Sequence, residues 1–281
     1  MSFDDATALA RMVLAGGPAQ CRRHLLDRHG SPVAALAAGV GAWRASGLDP
    51  AQIAALQDRA ISEALARTRD WLQVPGHHLV GWHDADYPAP LRTISSPPLA
   101  LFIDGDPALL WRPAVAVVGS RTPTSGGRDN AHAFARGLAA SGIVVASGMA
   151  RGVDAEAHEA ALACGPGTTF AVVGTGPDLT YPPAHERLRE RLAREGAVVS
   201  EHPPGTPALR THFPARNREN HAPTHRAHGR PAATCAGSYL AGAGRAGAHR
   251  WAHRLLLRRL ARRPLAVLRR YTVLRRVRSP V

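Results

Sequence analysis

Residues 114–152, AVAVVGSRTPTSGGRDNAHAFARGLAASGIVVASGMARG, decide the fold class. Two short apolar runs, AVAVVG (114–119) and GIVVASG (142–148), flank a stretch that Thr124 or Ser125 caps as a helix running to about Ala140. The alternation continues downstream. Gly152 to Cys164 reads as helix, Thr169–Gly174 as strand, Ala184–Glu195 as helix and Ala197–Ser200 as a fourth strand. Short apolar strands alternating with helices of about 12 residues predict a parallel sheet covered on both faces. Right-handed crossovers make that sheet Rossmann-like and doubly wound.

Working upstream, residues 73–113 carry two β-like runs, His78–Trp82 and Ala100–Ile103, among Pro, Asp and Gly. They predict an extended lead-in with one or two edge strands, where Pro is tolerated. Residues 1–72 read as a small helical domain of the SAM or helix-hairpin-helix kind. Asp4 or Asp5 caps a helix to Gly16–Gly17, and a second runs from Pro18 to Arg28 and stops at Gly30. Ser31–Pro32 starts a third, and Asp49–Pro50 opens a longer one to about Leu72. The AGGPAQ turn (15–20) resembles a helix–hairpin–helix turn; plain helix packing without DNA contact is the alternative. Residues 73–218 then form the sheet domain, and residues 219–281 stand apart.

Charge marks that last boundary. All 35 basic residues are Arg, and 21 of them precede Glu219, against 20 acidic residues. The final 63 residues hold 14 Arg and one acid, Glu219, so the net charge of +14 belongs almost wholly to the tail. Three scattered Cys (Cys21, Cys164, Cys235) supply neither a disulfide framework nor CxxC and point to a reducing compartment. No stretch approaches the ~20 apolar residues of a membrane span, and the N-terminus lacks a secretion signal. A soluble cytoplasmic protein is expected.

In a parallel sheet, ligands bind at the carboxyl ends of the strands. The loops there contain Ser120 and Arg121, then Ser147, Gly148 and Arg151, then Gly174 and Gly176, then Glu201 onward. Glycine after a strand lets backbone N–H groups approach an anion, and a guanidinium clamps phosphate bidentately. GSRTPTSGG is not GxGxxG, and GxxxxGK[ST] is absent, so no nucleotide cofactor is expected. Asp154 and His158, four apart on a helix, share a face. An acid/base pair or metal ligands are possible readings; a structural pair orienting the Arg151 loop is preferred, since no third ligand or nucleophile stands near. Glu201 is ambiguous in the same way. No catalytic residue and no metal site is assigned. In HPPGTPALRTHFPARNR (202–218), Phe213 stands with Arg216, Asn217 and Arg218. An aromatic face for a base beside cations for the backbone is a physical recipe for single-stranded nucleic acid. A loop with one anchoring Phe is the alternative.

From Tyr87 to Arg218 the chain resembles the DprA/Smf family of DNA-processing proteins. YPAPLRTISSPPLALFIDGD, AVAVVGSRTPTSGG, SGMARGVDAEAHEAAL, VVGTGPDLTYPPAHERL and SEHPPGTPALRTHFPARNR carry the resemblance in order and spacing. It implies an extended Rossmann-like domain that binds single-stranded DNA without catalysis. It also implies a homodimer and a role in natural transformation, protecting incoming DNA and loading the RecA recombinase. By the same resemblance Ser120, Arg121 and Arg151 line a basic pocket, while Phe213, Arg216, Asn217 and Arg218 hold bases and phosphates. A phosphoribohydrolase-like enzyme is the rival on this fold, but it needs a PGGxGT loop that VVGTGPDLT does not supply.

After FPARNR the family continues with an RIIAGLS-type helix and further strands, none of which is present as written. Glu219-Asn220-His221 can be encoded GAG-AAT-CAT, and a shift of one base reads Arg-Ile-Ile or Arg-Ile-Met. Ala233–Gly237 permits a shifted Arg-Val-Leu-Glu-Ala. The tail is therefore read as a frame-shifted, poorly ordered, Arg-rich segment that leaves the sheet incomplete and makes dimerisation of this chain doubtful. A genuine cationic tail binding nucleic acid by counterion release is the alternative.

Overall fold

The computed structural model describes residues 1–58, 61–209 and 212. The expectations for Phe213, Arg216, Asn217, Arg218 and the tail lie outside the described residues.

Local signals set the helical unit. Helix α1 (Phe3–Leu14) is capped by Ser2, whose Oγ accepts from Asp5 N at 3.1 Å and donates to the Asp5 carboxylate at 2.9 Å. Asp4 and Asp5 therefore lie in the first turn, where carboxylates favour the positive end of the helix dipole, and neither is the cap. Helix α2 (Ala19–His29) ends at Gly30 with φ +76°, a left-handed closure that glycine adopts without strain. Ser31 caps α3 (Pro32–Ala37), and α4 (Gly39–Ala45) follows. The long helix expected from Asp49 to Leu72 is two. Asp49 and Gln52 make a reciprocal capping box on α5 (Pro50–Gln57), which stops where Asp58 turns extended at ψ 136°, and α6 spans Ile61–Leu72.

Arg22 ties this unit together. It is 4% exposed, and its guanidinium donates to the carbonyls of Met12 (2.5 Å), Val13 (3.1 Å) and Gly17 (2.7 Å). Met12 and Val13 lie in the last turn of α1, where helix carbonyls run short of donors, and Gly17 lies in the turn beyond it. Gln52 Nε2 donates to the carbonyls of Gly16 (2.9 Å) and Pro18 (3.2 Å), so hydrogen bonds fasten the AGGPAQ turn to the first turn of α5. Burial, then the neighbouring charge of Arg23, lowers the Arg22 pKa to about 10, and the group stays cationic at neutral pH.

The rest of the described chain forms one six-stranded sheet in the order β1-β2-β6-β5-β4-β3. Strands β1 (His77–Gly81) and β2 (Ala100–Gly105) are joined through the short helix α7 (Ala89–Arg92). A 3₁₀ turn, Pro107–Trp111, leads to β3 (Ala114–Ala116). Then follow α8 (Ser125–Ala140), β4 (Val144–Ser147), α9 (Val153–Leu162), β5 (Thr169–Val172), α10 (Glu186–Glu195) and β6 (Ala197–Ser200). Strands β3 to β6 are parallel neighbours in chain order. β1 and β2 are antiparallel to each other, and β2 is antiparallel to β6. Only β1 of this pair is an edge; β2 lies inside the sheet.

The α/β class and Rossmann-like alternation hold, but the winding differs from the sequence expectation. Because β3 to β6 advance in one direction, successive right-handed crossovers put α8, α9 and α10 on the same face. Alternating residues show it: Val145, Ala171 and Val198 pack with these helices. Val144, Ala146, Phe170, Val172, Ala197 and Val199 pack instead with Tyr87, Leu91, Leu109 and Leu110 of the β1–β3 connections. Among the described residues the second face is thus covered by short segments rather than by crossover helices.

The helical unit does not stand off from the sheet. Leu9, Met12, Leu25, Leu26, Trp43 and Trp71 share one apolar cluster with Leu79, Leu99, Ala100 and Phe102 of the β1–β2 region. Asp104 on β2 pins the seam to α10, accepting from Arg189 at 2.5 Å, and His77 approaches it at 3.4 Å while stacking on Trp71 (4.1 Å between centroids). Among the described residues no helix is long and apolar enough to cross a membrane.

Arg22→Ala removes the guanidinium donor from the Met12 and Gly17 carbonyls of the buried α1–α2 junction, while Val13 keeps Gly16 N. A loss of about 3 kcal/mol is expected, read as a lower urea midpoint with an unchanged m-value.

Candidate nucleic-acid interface

The loops that follow β3, β4, β5 and β6 all emerge at one edge of the sheet, because those strands are parallel. The first two are packed against each other through glycine. Gly152 has φ +80° and ψ −124°, and a Cβ there would run into the Ser120 carbonyl oxygen and come within 2.6 Å of Pro123 Cδ. Only glycine fits both the dihedral angle and the space. A Cβ on Gly119 would lie 2.9 Å from Val153 Cγ2. Val153 N donates to the Ser120 carbonyl at 3.1 Å, which completes the contact.

This approach puts Arg121 and Arg151, both exposed, on adjoining loops. Ser120 is half-buried and shapes its own loop, its Oγ accepting from Thr122 N at 3.1 Å. Thr124 caps α8 by accepting from Gly127 N at 3.1 Å.

Several residues expected to face a phosphate are instead below the rim. Ser147 is fully buried, and its hydroxyl donates to the Val117 carbonyl at 2.6 Å, stitching β4 to the end of β3. Gly148 N donates to Asp154 Oδ2 at 3.1 Å, and Ala150 N approaches the same oxygen at 3.4 Å. The loop expected to cradle an external anion therefore holds the protein's own carboxylate. Gly174 and Gly176 are buried as well: Gly176 N donates to the Thr206 carbonyl at 2.8 Å, and the Gly174 carbonyl lies 3.0 Å from His212 Nδ1. These glycines serve close approach of protein to protein, and the anion-cradle expectation for Ser147, Gly148, Gly174 and Gly176 is corrected accordingly.

Asp154 and His158 divide the work expected of a pair. Asp154 orients the Arg151 loop. His158, fully buried, makes a 2.8 Å contact through Nδ1 with Thr169 Oγ1. The Thr169 hydroxyl proton is spent on the Val145 carbonyl at 2.6 Å, so Nδ1 is the donor and His158 anchors α9 to the β4–β5 ladder. Glu201 is half-buried, its carboxylate 3.9 Å from His202 Nε2. Among the described residues no group of three or more His, Cys, Asp or Glu could hold a metal.

Other contacts at this edge escaped the sequence reading. Met149 has φ +57°, the one positive φ outside glycine among the described residues, and its carbonyl lies 2.9 Å from His185 Nδ1. A non-glycine left-handed residue costs of order 1–2 kcal/mol, and the neighbouring loop contacts hold it there. Asp178, in the GTGPD turn, accepts from Gly205 N with both oxygens at 2.9 Å and ties the β5 loop to the β6 loop. His202 stacks on His212 at 3.8 Å and 18°. An Asp directly after Gly-Pro was the legible signal for the Asp178 contact; the histidine contacts had none.

Comparison with known proteins follows from this geometry. The sequence profile of the family described as DNA recombination-mediator protein A matches residues 78–225, just over half of the chain, from β1 through all four rim loops. The DNA processing protein DprA of Streptococcus pneumoniae is 44% identical over 135 residues, which is 48% of this chain and 47% of that protein. Protein Smf of Escherichia coli is 40% identical over 149 residues, 53% of this chain and 40% of that protein. The matched segments thus span less than half the length of these curated relatives. The X-ray structure of DprA from S. pneumoniae superposes with a TM-score of 0.63 at 31% identity, covering 76% of this chain and 73% of that one. With its mixed sheet and rim loops inside the matched region, this chain belongs to the DprA/Smf family of DNA recombination-mediator proteins.

Proposed function

We propose that this chain is a DNA-processing protein that binds single-stranded DNA along the carboxyl edge of its sheet, with no bond-making step of its own. The observation that carries this reading is the pairing of the Arg121 and Arg151 loops inside the region the family profile matches. Two exposed guanidiniums on a base held by Gly152 and Asp154 form a pre-set phosphate clamp, and fixing a loop beforehand lowers the entropy cost of binding. Phe213, Arg216, Asn217 and Arg218, carried over by resemblance, supply base stacking and further backbone contacts. RecA as protein partner belongs to the same proposal and rests on family membership alone; a homodimer does not, because the tail read as out of frame replaces the family's later strands and helices.

The tail enters twice. We read residues after Arg218 as out of frame, and the end of the profile match at residue 225, seven residues past Arg218, supports this. Its 14 Arg against one acid also support a second reading, non-specific cationic binding through residues 219–281.

The double variant Arg121→Ala/Arg151→Ala in the full chain separates the two. On the rim reading it weakens binding to labelled oligo-dT, measured by fluorescence anisotropy, and flattens the log K against log salt slope by about 0.7 per lost phosphate contact. An unchanged affinity and slope would instead assign binding to the tail. Asp154→Ala removes the acceptor shared by Gly148 N and Ala150 N. It should cost about 1–3 kcal/mol in urea unfolding and weaken oligo-dT binding while leaving the salt slope of the residual complex unchanged. Sequencing the coding DNA around codon 218 checks the frame: a shifted frame that encodes an apolar strand and helix is expected, and its absence would sink the frameshift reading.

A further inference from the structure

We propose that Arg67, on α6 of the helical unit, is a phosphate-binding residue that extends the cationic rim from the β3–β4 end of the sheet edge to its β6 end. A bound single strand would then run over the helical unit as well as the sheet. The inference rests on the rim reading above and adds a contact from a part of the chain outside the region the family profile matches.

The observations concern how Arg67 meets the loop after β6. Gly205 has φ +81°, and a Cβ there would run into Arg67 Nη1, 2.9 Å from Cδ and 3.2 Å from Cζ. The guanidinium therefore lies close beside Gly205, in space that a side chain at this left-handed position would contest. Gly205 is held in place by the Asp178 carboxylate. In the chain, segment 201–209 precedes Phe213–Arg218, the residues proposed to hold bases.

Its charge is not consumed by the fold. The Arg67 side chain is 48% exposed, and its ion pair, to Glu63 one helical turn earlier, is 3.4 Å long with Glu63 90% exposed. An exposed pair of this kind is worth little and is easily exchanged for a phosphate. The placement suits a strand already held at Arg121 and Arg151. Loops on β3 and β6 are three strand spacings apart, roughly 14 Å at ~4.8 Å each. At the ~3.4 Å rise of a stacked strand this is about four phosphates. Between these cations, segment 201–209 offers no Arg, and its prolines (Pro203, Pro204, Pro207) remove donors from the backbone.

The test compares Arg67→Gln, which removes the charge and leaves a shorter side chain with a planar polar end, with Arg67→Lys and Glu63→Gln in the full chain. Each is titrated against labelled oligo-dT at several salt concentrations, with urea unfolding run in parallel. Arg67→Gln is expected to weaken binding about fivefold and flatten the salt slope by about 0.7, Arg67→Lys to keep the slope, and Glu63→Gln to tighten binding. If Arg67→Gln leaves the slope unchanged while Arg121→Ala flattens it, the rim reading stands and Arg67 is not part of the site. Equal loss in the Gln and Lys variants with an unchanged slope would mean that Arg67 acts by packing on Gly205, which also overturns the proposal. Unchanged binding in the Arg121, Arg151 and Arg67 variants alike would remove the rim reading itself.

Discussion

Strand β6 is only four residues long, Ala197–Ser200, yet it is hydrogen-bonded on both sides, antiparallel to β2 and parallel to β5. All four residues are buried. A strand in this position must satisfy its backbone entirely within the sheet, since no water reaches it. That requirement joins two parts of the chain that are far apart in sequence. β2 brings β1 with it, β1 and β2 share an apolar cluster with the helical unit, and α6 is thereby carried to the edge where the β6 loop emerges. The Asp104–Arg189 pair crosses the same seam. A largely buried ion pair adds little net stability over an apolar substitute, but either partner left alone would be costly, so it favours the register of β2 against α10.

The rim illustrates how glycine is used when loops meet. Glycine after a strand suggests a backbone cradle for a ligand, and that is a sound generalisation for dinucleotide sites. Here the space released by Gly152, Gly119 and Gly176 is filled by protein, and the N–H groups of the second loop meet Asp154. The consequence is a firm platform from which Arg121 and Arg151 project. Under the proposed function, long cationic side chains on such a fixed base would supply the affinity for a flexible polyanion.

How much was legible in the sequence depended on the range of the signal. Ser31–Pro32, Asp49–Pro50 and Thr124 announce helix starts because capping involves residues three or four apart, and each start was placed correctly. The break at Asp58 was not visible, because the helical periodicity continues on either side and propensity alone penalises Asp by well under 1 kcal/mol. The pairing of β2 between β1 and β6 was hidden because an interior strand and an edge strand have the same composition when both are short and apolar. Ser147 looked like a loop hydroxyl for the same reason. One residue beyond the apolar run is enough to move it from exposed to fully buried, and only the β3–β4 pairing decides which.

From sequence alone came the strand and helix order with its parallel alternation from Ala114 to Ser200, the charge break at Glu219 and the DprA/Smf resemblance. These are local or cumulative properties: periodicity, capping residues, composition and motif spacing. The tertiary structure decided which face the helices cover, which glycines serve packing, that Asp154 fills the second loop, and that Arg67 meets Gly205 across more than a hundred residues of chain. Those depend on which surfaces are brought within van der Waals and hydrogen-bonding distance. That is a property of strand order and close packing, and no stretch of residues carries it by itself.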